Sequence, residues 1–175
     1  CCLAEVMGIS LPGSATIPAV YSRRQGIAFE SGKAVMNLLK KDICIKDIIT
    51  KDAILNAIKV NSAIGGSTNA VLHLLAIAYE ADVDLDIFEF GKVSMSVPHM
   101  VPMIPAGQYT LLDFYEAGGI PVMMKELATI LDLNGITCTG CTSKENIEKF
   151  QNKNPDVIRS FKNPVHSRGG IAVLK

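Results

Sequence analysis

The hydrophobic pattern centres on residues 64–78, where Ile-Gly-Gly-Ser-Thr-Asn runs directly into Ala-Val-Leu-His-Leu-Leu-Ala-Ile-Ala. Gly65 and Gly66 permit a backbone turn that side chains would block, and Ser67, Thr68 and Asn69 are residue types that favour a helix N-cap. A helix is therefore predicted to begin here. From Ala70 to Ala78 every position except His73 is apolar, which leaves no polar face for water. The expected result is a core helix covered all round, with His73 a structural residue inside it.

Around that centre the apolar positions keep mostly helical spacing. Cys1 to Met7 reads as the last turns of a helix stopped by Gly8, and Leu11-Pro12-Gly13-Ser14 as a turn. Phe29, Val35, Met36, Leu38 and Leu39 mark a helix over 26–41, with Lys40 and Lys41 at the end that suits cations. Thr50 caps a helix to about Lys59 that presents Ile54, Leu55 and Ile58 on one face. Residues 82–86 read as a loop and 87–93 as a short helix or strand. Three prolines between Val97 and Pro105 impose an extended segment.

Thr110 to Ala117 is helical in pattern up to Gly118-Gly119, and Pro121 opens a further helix to about Leu131. Asn134-Gly135 is a turn and Ile136 to Thr139 a short strand. Thr142 and Glu145 form a capping box before residues 147–150, and Gly169-Gly170 precedes a strand-like close at residues 171–175. Helices interleaved with short β-branched runs predict an α/β, helix-rich domain.

Composition narrows the class of protein. With 175 residues, 49% hydrophobic, a mean hydropathy of +0.29 and 17 basic against 17 acidic side chains, the chain can bury a large core and carries no basic stripe. Nucleic acid and anionic membrane are disfavoured, and a small-molecule partner is favoured. The apolar runs fall short of the roughly 18 residues that span a bilayer. Five cysteines, an odd number in a chain of this size, suit free thiols in the cytoplasm. Helical character without an initiator Met at one end, and a strand-like run at the other, read as the interior of a longer polypeptide.

Candidate chemistry is sparse. A helix N-terminus behind a Gly-Gly turn with hydroxyl side chains suits an anion, because free N–H groups and the helix dipole favour negative charge. Gly65, Gly66, Ser67, Thr68 and Asn69 are thus the candidate substrate or cofactor wall, and the same residues equally suit a plain start to a core helix. Cys138-Thr139-Gly140-Cys141 is a C-x-x-C; a zinc site lacks a second ligand pair, and a redox pair would need the helix beginning after Thr142. His73, His99 and His166 are scattered, and no Ser/His/Asp or paired-carboxylate set can be assembled by spacing. Asp82, Asp84 and Asp86 lack the glycine and glutamate of a calcium loop, since Ile87 and Val93 stand at those offsets.

Several motifs together resemble one family. Leu11-Pro12-Gly13-Ser14-Ala15-Thr16-Ile17-Pro18-Ala19, the stretch from Gly65 to Leu74, Pro105-Ala106-Gly107, Glu116-Ala117-Gly118-Gly119-Ile120-Pro121 with Met124-Lys125-Glu126-Leu127, and Asn163-Pro164 before Gly169-Gly170-Ile171-Ala172-Val173-Leu174 occur in the order found in the dihydroxy-acid and phosphogluconate dehydratases. The resemblance covers essentially the whole chain and is strongest to the dihydroxy-acid branch, which serves branched-chain amino-acid biosynthesis. It implies a three-layer-like domain, with residues 1–168 in the second half of the large N-terminal domain and 169–175 opening a C-terminal one.

The resemblance also implies a cytoplasmic hydro-lyase, homodimeric when whole, that removes water from a 2,3-dihydroxy carboxylate to leave a 2-keto acid. In this family an iron–sulfur cluster acts as Lewis acid on the departing hydroxyl while Mg2+ holds the carboxylate. The family's cluster cysteines, magnesium ligands and proposed serine base fall outside the segment matched here. Cys1 and Cys2 fall on the helix after a cluster cysteine, at positions where the family has small or apolar residues, so no ligand role passes to them. Cys138 and Cys141 also depart from the family pattern. A fragment inactive alone and binding neither cofactor is expected, with a sugar-acid dehydratase as one alternative and a non-catalytic small-anion-binding module as another.

Overall fold

The computed structural model describes residues 1–172. These form nine helices: α1 (Cys2–Val6), α2 (Arg23–Lys40), α3 (Ile45–Ile48), α4 (Lys51–Ala63), α5 (Asn69–Glu80), α6 (Phe88–Ser96), α7 (Leu111–Ala117), α8 (Gly119–Glu126) and α9 (Ser143–Ile147). Extended pairing among the described residues is confined to isolated bridges, His99 with His166, Ile136 with Thr142, and Met103 with Tyr109. The chain is helix-rich, and the short strands expected between helices reduce to these bridges.

The strand expected over 136–139 shows why. Thr137 N–H donates to Cys141 O at 3.0 Å and Cys138 N–H to Gly8 O at 2.7 Å, so the segment spends its backbone groups on a tight loop and on the end of α1. Of the strand expected at the close, Ile171 and Ala172 are irregular, and 173–175 lie outside the described residues.

Two helices organise the core. Helix α4 packs against α1, α5 and α6, while α8 packs against α1, α7 and α9, so α1 joins the two groups. Thr50 caps α4 by accepting the Ala53 N–H at 3.2 Å, and Ile54, Ala57, Ile58 and Val60 are fully enclosed. Around α8, Phe114, Ile120, Met123 and Leu127 are equally buried. Helix α8 stops at Glu126, five residues before the expected end, and continues as i→i+3 turns through Ala128 and Ile130. The capping box at Thr142 and Glu145 is present, and a second one joins Thr110 and Asp113.

Two expectations about burial are corrected. Helix α5 buries only Ala70, Leu74 and Ala78, whereas Leu72 is 69% and Tyr79 80% exposed. His73 is exposed with them, so it is no core histidine. The reason is geometric: α5 touches the body of the chain along one stripe near α4, and positions 72, 73, 76, 79 and 80 turn away from it. Helix α2, which starts at Arg23 rather than Gly26, buries no residue at all.

Candidate functional site at the 65–69 turn

The turn follows from the end of α4. Asn61, 3% exposed, accepts the Gly66 N–H on its backbone carbonyl at 2.9 Å and donates from Nδ2 to Ser67 O at 3.3 Å. Gly65 adopts φ +61°, a left-handed conformation that only glycine takes without strain. At Gly66 a side chain would collide with Asn61 Oδ1, so the second glycine is required by close approach.

The first N–H groups of α5 are used locally. Asn69 N–H donates to Ser67 Oγ at 3.2 Å, Ala70 N–H to Ser67 O at 3.2 Å, and Val71 N–H to Thr68 O at 3.1 Å. Thr68, at the N-cap position, makes no side-chain cap bond. The expected row of free backbone donors is therefore replaced by the outward hydroxyls of Ser67 and Thr68 and the amide of Asn69, all three exposed. These are neutral donors at a helix start, suited to a small anionic or hydroxylated group.

His99, His166 and Gly170, far apart in sequence, close behind the turn. His99 N–H donates to His166 O at 2.9 Å, and the two rings stack with centroids 5.7 Å apart. Gly170 N–H donates to Ser62 O at 2.8 Å, which holds the 169–170 segment against α4. Burial pushes the His99 imidazole below the ordinary histidine range, against a hydrogen bond with the Val101 backbone, and His166 adds to the lowering. Next to this segment, Phe88, Lys92, Ser94, Met95, Arg168 and Gly169 line a cleft of about 790 Å³. Reading the histidines by spacing missed the stack, because its signal is a contact between residues 67 positions apart.

Glu5 was equally hidden in the sequence. It is 6% exposed, and its two carboxylate oxygens accept the N–H groups of Gly13 and Ala15, each at 2.7 Å, so the 11–15 turn is tied to α1. Burial without a cation pushes its carboxyl up to about 7, although both N–H donors act to lower it. An acid inside an apolar run just before a Leu-Pro-Gly turn is the signal that could have pointed to it.

The thiols do not form a centre. Cys138 is half-buried, Cys141 is exposed, and burial pushes the Cys138 thiol up to about 11, the opposite of an activated thiolate. Burial likewise raises the Cys2 thiol. Among the described residues no three His, Cys, Asp or Glu side chains come together in a way that could hold a metal ion. No helix among the described residues is long and apolar enough to cross a membrane.

Comparison with known proteins gives the family. The family described as dihydroxy-acid/6-phosphogluconate dehydratase N-terminal matches residues 1–146. The dihydroxy-acid dehydratase of Halothermothrix orenii is 47% identical over 99% of this chain and 32% of its own length. That of Mycobacterium leprae is 48% identical over 98% of this chain and 31% of its own length. A Clostridium beijerinckii protein of the same name is 48% identical, with 99% and 32% covered. The chain spans about a third of the length of these curated relatives.

Proposed function

Because the chain belongs to the dihydroxy-acid/6-phosphogluconate dehydratase family, matching its N-terminal domain, we propose that it serves a hydro-lyase converting a 2,3-dihydroxy carboxylate into a 2-keto acid. The observation that carries this is identity of 47–48% to proteins named dihydroxy-acid dehydratase along nearly the whole chain. Branched-chain amino-acid biosynthesis, a cytoplasmic setting, a homodimer and the three-layer α/β arrangement belong to the same proposal for the whole enzyme.

In this proposal the 65–69 turn is a wall of the substrate or cofactor cavity. Its support is chemical: the hydroxyls of Ser67 and Thr68 and the Asn69 amide offer polar, uncharged contacts on a segment whose backbone is fixed by Asn61. The neighbouring cleft, lined by Lys92 and Arg168 together with Asp86, carries one cation in excess, which suits a carboxylate. The iron–sulfur cluster and Mg2+ of the family would be held by other segments of the whole enzyme, since the thiols and carboxylates here do not converge.

The test grafts this chain into one of the named dihydroxy-acid dehydratases in place of its matching third. The chimera is then offered a 2,3-dihydroxy acid and an aldonate in parallel. Keto acid formed from the dihydroxy acid supports the proposal. Turnover of the aldonate alone moves the chain to the sugar-acid branch, and a folded chimera loaded with cofactors but inert on both overturns it.

A further inference from the structure

We propose that His99 is a positioning residue for the 65–69 turn: its buried imidazole is the surface on which Gly65 and Gly170 close, fixing how the turn presents Ser67 and Thr68. This deepens the proposal that the turn is a cavity wall and rests on it for its functional meaning.

Three contacts converge on the ring. A Cβ built on Gly65 would lie 3.0 Å from His99 Nε2, so the Gly65 backbone already rests against that nitrogen. A Cβ on Gly170 would meet His99 Cδ2 at 3.5 Å and Gly65 Cα at 2.6 Å, which places Gly170 over both. His166 covers the remaining face by stacking at 25° between ring planes. The backbone locks the same arrangement: His99 C=O accepts N–H groups from Val165 and His166, and Met100 N–H donates to Ala63 O at the end of α4. At 6% exposure His99 has nowhere else to go.

This arrangement needs glycine at two positions distant in sequence, which meet each other at the Nε2–Cδ2 edge of a single imidazole. Side chains there would force the turn and the 165–170 segment apart. It also needs a neutral ring. His166 is the titratable group facing His99, and two stacked imidazolium rings would repel, so protonation of His99 in acid loosens the packing against Gly65. Burial, which lowers its proton affinity, keeps the ring neutral through the neutral range.

The experiment follows the backbone amides of residues 65–67 by NMR in the full chain as pH is lowered, with core amides of Ile54 and Leu74 as the folding control. In the wild type these turn amides should shift together with one titration whose midpoint lies below the ordinary histidine value. His99→Gln, which keeps a polar atom near the Nε2 position, should retain the neutral-pH shifts and lose the titration. His99→Ala should displace the turn amides at every pH while the core amides stay in place. Turn amides unmoved by His99→Ala, or still titrating in His99→Gln, would overturn the inference. If His99→Ala unfolds the chain, the His99→Gln titration alone decides. No substrate enters this measurement, so its outcome is independent of whether the dehydratase proposal survives.

Discussion

Glu5 carries the clearest single-residue consequence. Its carboxyl stands at about 7 in the fold against an ordinary value of 4.5, so the folded chain holds this proton more tightly than the unfolded one. The stabilisation it gives is complete below about pH 4.5 and is lost as pH rises through about 7. Over that window wild type should lose about 3 kcal/mol relative to Glu5→Gln, whose stability lacks this proton linkage. Parallel chemical denaturation at pH 4.5 and 7.5 measures the difference; equal slopes for both proteins would contradict the account. At His73 exposure reverses the expectation of a core residue, so His73→Gln should change stability by no more than about 0.5 kcal/mol. A thermal melt of the variant checks it.

At the scale of elements, capping chemistry was legible and burial was not. Thr50, Thr142 with Glu145 and the stop at Gly8 were all readable, because each depends on a few neighbouring residues, whereas the three-proline segment is irregular only to Met103 and turns at 104–106, closed by Gly107 N–H on Met103 O. The apolar length of α5 suggested full coverage, but periodicity reports how much apolar surface a helix has, not what lies beside it. The His99–His166 stack and the Glu5 latch were illegible for the same reason, since both join segments distant in sequence. Helix α2 makes the point most sharply: Phe29 is 67%, Val35 62% and Leu39 72% exposed on a helix with no buried residue. Such a surface promotes association. Phe29→Lys with Leu39→Glu should therefore lower self-association in analytical ultracentrifugation while moving the melting temperature little. By contrast Ile58→Ala, in the packed face of α4, should cost about 2–5 kcal/mol in denaturant unfolding.

For the molecule as a whole, the order of motifs was more informative than any site. The Leu-Pro-Gly-Ser turn, the Gly-Gly-Ser-Thr-Asn turn and the Gly-Gly corner before Pro121 pointed to the family that the comparison then showed over residues 1–146. The fold explains part of their company: the first turn is tied to α1 by Glu5, the second is set by Asn61 at the end of α4, and the corner joins α7 to α8 with Gly119 close against Thr16. The central claim is that this assembly meets the reaction at the 65–69 turn, through the exposed hydroxyls of Ser67 and Thr68, of which only Ser67 Oγ has a partner in the fold, the Asn69 N–H. Its most direct test is Ser67→Ala with Thr68→Val in the dehydratase chimera, comparing turnover per folded molecule with melting temperature. Each lost donor to a charged partner is worth about 1.5–3 kcal/mol, so turnover should fall at least about tenfold while the melting temperature barely moves. Undiminished turnover with a lowered melting temperature would contradict the claim and leave the turn as the start of a helix and nothing more.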